Sequence, residues 1–545
     1  GPGCRVFTGY DFVGDDFNAD PTSPSYNPIP NPDPIPDDCN GHGTHVAGII
    51  GANGTIKGVA PDVMFGAYRV FGCEGSTTAD IMLMAMERAL DDGMQVLNMS
   101  IGSAFQWPQY PTAQAADRLV KAGMVVVASI GNSGASGVYS AGAPGLGNQV
   151  IGVASFDNTD IFLKLFLVSP DDTPVGYGVA SSAPEPPTSG TYPMARTGTI
   201  TSSADACNPL PAGSLTGKIA LIRRGGCTFH VKSLNAMNAG AIGVVLYNNG
   251  PGRFSATVAG TPAITIPVVT ISASEGALID ERLAVGDVFL TWTDQSGSFP
   301  NPTGGLISSF SSYGLSPDLN VKPDIGAPGG LIYSTFPLEE GGYATLSGTS
   351  MASPHVAGAA ALLLQAHPNL PAGVVRTLFQ NTADPALWWG DPSFGYLDNV
   401  HRQGAGMLDI PQAILSTVKV EPSKLALGES QAGPITKTIT IANDGTTTKV
   451  FSLSHQPALG THGSTFSPAF NANFASVSFS DDEVKVPPKS KVRVNVTITA
   501  PAVPDKGLFG GYIVLTDDEE KIYRVPYAGF IGDYQSIQVL APTQY

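Results

Sequence analysis

A serine attacks a carbonyl efficiently only where the charge that develops is stabilised, and Ser350 stands in such a place. It lies in Gly348-Thr349-Ser350-Met351-Ala352-Ser353-Pro354-His355-Val356-Ala357-Gly358, at the head of the helix-compatible apolar run 356–364. That position puts it near a helix N-terminus, where unpaired backbone N–H groups and the helix dipole favour negative charge. At neutral pH the hydroxyl also needs a base within hydrogen-bond reach. Asn132 is a second candidate: it follows Val125-Val126-Val127-Ala128-Ser129-Ile130-Gly131 at the end of an apolar strand, and its amide can donate to an oxyanion. Taken alone, a Gly-Asn pair at a strand end is an ordinary turn.

The run around Ser350 closely resembles the nucleophile motif of the subtilisin-like serine proteases, or subtilases. Asn40-Gly41-His42-Gly43-Thr44-His45-Val46-Ala47-Gly48 resembles their histidine motif. The resemblance makes His42 the general base, with glycines on either side that allow close approach of backbone and substrate. It also places Asn132 in an oxyanion hole beside the Ser350 N–H. His45 and His355 read as structural. Asn98-Met99-Ser100-Ile101-Gly102 resembles the segment that pairs with substrate backbone and lines the first specificity pocket. Ser100, Ile101, Gly102 and Gly131 are therefore substrate-binding candidates. Ala67-Tyr68-Arg69-Val70-Phe71-Gly72 is either ordinary sheet core or an edge open to strand addition by an extended peptide. The implied function is hydrolysis of peptide bonds in proteins by a secreted serine endopeptidase of broad or apolar preference.

The family's orienting carboxylate, in an Asp-[Ser/Thr]-Gly motif closing an apolar strand, has no counterpart. Asp11, Asp15, Asp16, Asp20, Asp33, Asp37 and Asp38 precede His42, none in that context, and the expectation is an aspartate-lined surface loop. The chain reads as an N-terminally truncated fragment whose full-length precursor carries a propeptide. In a subtilisin, loss of the aspartate alone lowers turnover roughly 10⁴-fold and spares the oxyanion hole. Loss of its strand exposes neighbouring edges. The fragment is thus expected to be weakly active or inactive. The alternative is a non-catalytic pseudoprotease that binds polypeptides.

Length and composition fit several domains: 545 residues exceed one ordinary core. The balance of 28 basic against 45 acidic residues, a net charge of −17, argues against nucleic acid as a partner. No apolar run approaches the roughly 20 residues that span a bilayer, so no membrane segment is expected. Over 42–156 apolar strands alternate with helices, predicted at Thr78–Asp91 and Thr112–Ala122, which is the pattern of an α/β parallel sheet flanked by helices. The rhythm stops after Val150–Ala154 and resumes at Leu306–Gly314, which resembles the family strand leading to the serine. Between them, a strand and turn over Gly217–Cys227, a helix over Phe229–Ala239 and a strand over Ile242–Tyr247 resemble a mostly-β protease-associated domain. From about Val418 the chain is β-rich: Ile435–Ala442 and Val492–Ile498 alternate, and Tyr512–Tyr523 reads as a hairpin. A C-terminal β-sandwich follows, similar to the fibronectin type III-like domain of larger subtilases. The domains expected are 1–157, first part of the catalytic domain; 158–302, the insert; 303–416, its second part; and 417–545, the sandwich.

Five cysteines suit an oxidising compartment. Cys207 and Cys227 bracket a short loop whose closure stabilises by roughly 3 kcal/mol. Cys4 and Cys39 are the second expected pair, across the Pro/Asp loop, which leaves Cys73 odd. No cofactor is required for the chemistry. The resemblance admits structural calcium, although no residues mark a metal site. Asn53-Gly54-Thr55 and Asn495-Val496-Thr497 are glycosylation sequons, and Asn98-Met99-Ser100 is one within the expected core.

Overall fold

Apolar strands joined by amphipathic helices can bury both faces only as a covered parallel sheet. The first elements are β1 (Val6–Asp11), α1 (His42–Gly51), β2 (Phe65–Arg69), α2 (Ala79–Asp91), β3 (Val96–Met99), α3 (Pro111–Lys121), β4 (Val125–Ser129) and β5 (Ile151–Asp157). After the insert come β6 (Ile325–Gly330), α4 (Thr349–Ala366) and α5 (Ala372–Thr382). This architecture is a computed structural model that describes residues 5–250 and 252–537. The chain forms two compact units, 1–157 with 305–545, and 158–304.

In the first unit, β6, β5, β4 and β3 form a parallel sheet in that order, with Met99 opposite Ala128, Val127 opposite Ile151 and Val153 opposite Ile325. Helix α3 shows how the sequence sets its own limits. Pro111 opens it where a missing N–H is harmless, Arg118 and Lys121 face the negative end of the dipole, and Gly123 at φ +105° ends it. Helix α4 lies across all four strands and against α1. Its residues Ala352, Val356, Ala359, Ala360 and Leu363 are fully buried in the main core with Val127 and Ala128.

Strands β1 and β2 stand apart as a parallel pair, with Tyr10 opposite Tyr68 and Asp11 opposite Arg69. Among the described residues, the second edge of β2 and the second edge of β3 have no strand partner. Burial records the difference. All five positions of β4 are buried, against none of five in β2 and one of four in β3.

The segment Leu306–Gly314, expected as a strand, is irregular, with one isolated bridge from Phe156 to Ile307. Its serines explain the difference, since hydroxyls satisfy backbone groups that a ladder would otherwise take. Ser311 Oγ accepts from Ser155 N–H at 3.1 Å, Ser312 Oγ accepts from Ser133 N–H at 2.9 Å, and Ser308 Oγ lies 2.9 Å from Ser155 Oγ. The strand leading to the serine is β6.

In the second unit, strands Asp160–Val168, Thr173–Val179, Thr191–Arg196, Ile219–Arg223, Gly243–Tyr247, Val268–Ile271 and Phe289–Pro300 close into a barrel. Helices Phe229–Asn238 and Ala273–Val285 accompany it, the second opened by a capping box between Ser272 and Glu275. Phe166, Tyr177 and Trp292 meet in its core at ring distances of 5.6 to 5.8 Å. Cys207 and Cys227 are disulfide-bonded, as expected.

The first unit ends in two antiparallel-rich sheets. One contains Ile435–Asn443 and Ser490–Thr499; the other contains Lys449–Gly463, Leu508–Asp517 and Ile522–Phe530. Phe451, Ile439, Val496 and Leu515 are buried between them. The seam with the parallel-sheet region is polar and buried. Arg402 lies between the rings of Tyr313 at 4.4 Å and Trp389 at 5.1 Å, and Tyr512 donates to Gly404 O at 2.9 Å. Asp324, fully buried, takes Lys322 and Lys424 at 2.6 Å each and accepts from Gly152 N–H at 2.9 Å.

Burial alone would raise the Asp324 pKa, but Lys322, Lys424 and Arg376 outweigh it and hold the carboxyl below the ordinary carboxylate range. Because the folded value lies below the unfolded one, the stabilisation is complete above about pH 4 and is lost as pH falls toward the folded value. Asp324→Asn, which strands two buried ammonium groups, is expected to destabilise by about 3–5 kcal/mol at pH 7. Calorimetry against pH should show that deficit narrowing below about pH 4.

Candidate active site

Helix α4 begins with Gly348 as its N-cap, which makes Ser350 its second residue and puts it at the positive end of the dipole. Pro354, four residues on, has no N–H to give the Ser350 carbonyl. That freed carbonyl is taken by the Ser100 hydroxyl at 2.7 Å. The Ser350 hydroxyl in turn donates to Ser100 O at 3.2 Å. The segment after β3 is thereby fastened to the Ser350 turn by reciprocal bonds.

The Asn132 side chain is held from the same turn. Its Oδ1 accepts from Thr349 N–H at 2.9 Å and from the Thr349 hydroxyl at 2.8 Å. With the oxygen so occupied, Nδ2 is the free donor, and it lies against Gly348. Gly131 sits at φ +118°, and a Cβ there would come within 2.8 Å of Ser312 Oγ, so glycine is required on both counts.

His42 is the first residue of α1 and is half-buried. The turn before it is organised by Asp38. One carboxylate oxygen accepts from Asn40 and Gly41 N–H groups at 2.9 Å each; the other accepts from Thr44 N–H and Thr44 Oγ1 at 2.7 Å each. Burial raises the Asp38 pKa, but these hydrogen bonds outweigh it and lower the carboxyl overall. Burial lowers the His42 pKa, and the Asp38 charge opposes that shift in part. The imidazole is therefore neutral and able to accept a proton at neutral pH. Among the described residues, no carboxylate hydrogen-bonds its ring.

The acidic loop before His42 is not simply a surface feature. Asp11 is buried, caps the Val13 and Gly14 N–H groups and meets Arg69 at 3.1 Å; Asp15 and Asp37 meet the same guanidinium at 2.7 and 3.7 Å. Cys39 pairs with Cys73, not with Cys4, because the loop folds onto β2 around Arg69, whose Nη2 lies 2.9 Å from Cys39 Sγ. Cys4 lies outside the described residues. The bridge closes a 34-residue interval, worth about 3–4 kcal/mol in the loop-entropy account. His45 is structural: its Nε2 lies 3.1 Å from both Ile332 O and Ala344 O. His355 Nδ1 lies 2.9 Å from Met351 O.

His42, Ser100, Ile101, Gly102, Gly131, Asn132 and Ser350 all line one cavity of about 1680 Å³. Cys207 and Cys227 belong to the other unit. Sequence reasoning placed Asp38 in a surface loop and missed its hold on the turn before His42, together with Thr349 and the consequence of Pro354. The Asp-x-x-Gly-His spacing and the Ser-x-x-x-Pro interval were the available signals.

Residues 12–406 match the subtilase family. This chain is a subtilase. Residues 425–528 match a Fn3-like domain. The minor extracellular protease Vpr of Bacillus subtilis (strain 168) is 32% identical over 540 residues, covering 95% of this chain and 61% of the relative. The PI-type proteinase of Lactococcus lactis subsp. cremoris is 29% identical over 593 residues, covering 94% and 30%. The C5a peptidase of Streptococcus pyogenes serotype M6 is 27% identical over 556 residues, covering 92% and 45%. The subtilase chain thus spans less than two thirds of the length of these relatives. No helix among its described residues is long and apolar enough to cross a membrane.

Two outcomes follow from these contacts. Asp38→Asn removes the charge that raises the His42 pKa, so an NMR titration of the His42 ring should give a lower midpoint than wild type. Ser100→Ala leaves the partly buried Ser350 carbonyl without its side-chain partner and should lower stability by about 0.5–1.5 kcal/mol, read by denaturant titration.

Proposed function

We propose that this subtilase is a secreted serine endopeptidase that hydrolyses peptide bonds in protein substrates. The observation that carries the reading is the Asn132 amide, fixed by Thr349 so that its donor is left free beside the N-terminus of α4. Ser350 Oγ turns from Ser100 O to His42, which takes the proton as Oγ attacks the carbonyl carbon and later returns it to the leaving amine. The oxyanion lies between the Ser350 N–H and Asn132 Nδ2. Ser100, Ile101 and Gly102 pair with the substrate main chain, and Gly131 keeps the first pocket open.

In this reading 158–302 is a protease-associated insert, and the C-terminal sandwich braces the catalytic unit. Two disulfides and the extracellular protease among the relatives support secretion. Asn53 and Asn495 are exposed and available to glycosylation, whereas Asn98 is half-buried with its amide bonded to Ser100 Oγ at 3.1 Å. A polypeptide-binding pseudoprotease is the second reading, favoured by the Ser350 hydroxyl resting on Ser100 O and by an imidazole without a carboxylate partner.

Labelling of the chain by a fluorophosphonate probe, with Ser350→Ala as control, separates the two readings. The endopeptidase reading expects slow, serine-dependent labelling that weakens at acid pH as His42 protonates. Labelling no faster than in the Ser350→Ala control supports the pseudoprotease. Asn132→Ala is expected to lower turnover about 10²–10³-fold, the range for one oxyanion donor.

A further inference from the structure

Residues 133–142 form an arch between Asn132 and the substrate-pairing segment, and the two ends of the arch meet the cleft: Ser133 and Gly142 line the cavity. Gly142 pairs with Ala104, two residues beyond Gly102, and its N–H donates to Ile130 O at 2.9 Å. Gly102, Gly131 and Gly142 add no side chain there, and the arch carries no charged residue. A pocket with such walls takes a large neutral side chain, since nothing in them pairs with a buried charge. Its width depends on where the arch stands.

The feet of the arch are held by residues 310–314: Gly134 and Ala141 N–H groups donate to Phe310 O and Tyr313 O at 2.9 Å each. Its crown is bent through two left-handed positions, Gly137 at φ +80° and Tyr139 at φ +62°. A tyrosine in that region is strained and keeps the conformation only where its surroundings impose it. Gly314 O supplies one bond, to Tyr139 N–H at 3.1 Å, and the C-terminal sandwich supplies the rest. Val138 N–H donates to Thr465 O at 2.8 Å, the Val138 side chain is buried with Ala458, Leu508 and Phe530, and the Tyr139 ring lies 6.4 Å from that of Tyr534. A Cβ at Gly137 would come within 1.9 Å of Thr465 O, so the two backbones are in contact. Thr465 stands at the tip of the hairpin of Lys449–Gly463 and Pro468–Asn471, which is itself pinned: Thr461 Oγ1 lies 2.9 Å from His401 Nε2, and the Phe470 and Trp388 rings are 5.3 Å apart.

Resting on the proposed peptidase function, we infer that this hairpin tip is a positioning element for the first specificity pocket. Through Val138 it holds the arch, and with it Gly142, at the distance from residues 100–102 that admits a large neutral side chain before the scissile bond. The sandwich thereby sets selectivity without touching substrate.

The contact is the Thr465 carbonyl, not its side chain, so the test removes the tip. Residues 464–467 are exposed, Phe466 at 72%, and Ser464-Thr465-Phe466-Ser467→Asn-Gly leaves a two-residue turn with Gly463 still opposite Pro468. Turnover is read on two tetrapeptide anilides that differ only in the residue before the scissile bond, Phe or Ala. The Phe-over-Ala ratio of kcat/KM is expected to fall about tenfold, carried by KM, with kcat on the Ala substrate and labelling of Ser350 by a small fluorophosphonate unchanged. Gly137→Ala, which drives the same two backbones apart, should move the ratio in the same direction. A ratio within about twofold of wild type overturns the inference. An equal fall in kcat on both substrates also overturns it, because the effect then lies on the oxyanion donor. Amide exchange is the second arm and needs no turnover: in the shortened chain Ala141 and Gly142 are expected to exchange about tenfold faster, with residues 125–129 unchanged. Faster exchange confined to Val138 makes the contact local and overturns the inference. If the wild type neither cleaves the anilides nor labels, the peptidase reading fails, and exchange alone decides whether the hairpin positions Gly142.

Discussion

The close seating of α4 on the parallel sheet fixes the candidate active site. The helix can approach β3, β4, β5 and β6 together because its sheet face is built from small residues: Ala352, Ala357, Ala359 and Ala360 are all buried. At Gly358 even a methyl group would come within 2.7 Å of Val59 Cβ. In a close-packed interior such a helix cannot shift by a fraction of its diameter without losing many contacts together. Ser350 inherits its position from that packing. The bonds that Ser100 and Thr349 add at the N-terminus set the last few tenths of an ångström and the direction of the donors, which is the preorganisation an oxyanion requires.

His42 is positioned by different means, since its strand pair is not laddered to the main sheet. Helix α1 lies on α4, with Ile49, Met351 and Ile332 in one small core, and Gly48 is pressed against Ser334 and Thr335. The hydroxyls of those two residues donate to His45 O and Thr44 O at 2.9 Å each. The hairpin of Ile332–Thr335 with Tyr343–Leu346 therefore holds α1 from below, while the Arg69 cluster and the Cys39–Cys73 bridge hold the loop above it. Ser350 and His42 are thus kept in register by the packing of α1 on α4 and by the hydroxyls of the hairpin that leads into α4.

This division also explains what could be read from sequence. Ser350, His42 and Asn132 each sit in a run where backbone geometry is local, a helix N-terminus or a strand end, and local patterns carry that information. The α/β alternation was legible for the same reason, and the helices fell within a residue of Pro111–Lys121 and Ala79–Asp91. Pairings across the fold were not. Read from sequence, Cys39 pairs with Cys4 and Cys73 is left odd, whereas the convergence of Asp11, Asp15 and Asp37 on Arg69 brings Cys39 to Cys73. Leu306–Gly314 has the apolar content of a strand, but Ser308, Ser311 and Ser312 take its backbone out of the sheet through bonds to residues more than 150 positions away.

The sandwich meets the frame of the site around Asp324, through Lys424 and through Ser423, whose partner Gln380 donates to Asp324 O at 3.0 Å. Lys424, the residue before the Fn3-like match, reaches the buried Asp324 immediately before β6. Asp324 also accepts from Gly152 in β5, so one carboxylate joins two adjacent strands to the C-terminal region. Five residues along β6, Gly329 O accepts from Gly348 N–H at 2.8 Å, and a side chain at Gly329 would come within 2.6 Å of Gly348 O. Gly348 is the N-cap of α4. A continuous line of buried contacts therefore runs from the sandwich through Asp324 and β6 to the turn that presents Ser350. Removing the Lys424 ammonium would leave the buried carboxylate beside Lys322 alone, at the base of the strand on which the Ser350 turn rests. The C-terminal domain is in this sense a structural part of the unit that carries Ser350, even though none of its described side chains lines the cleft.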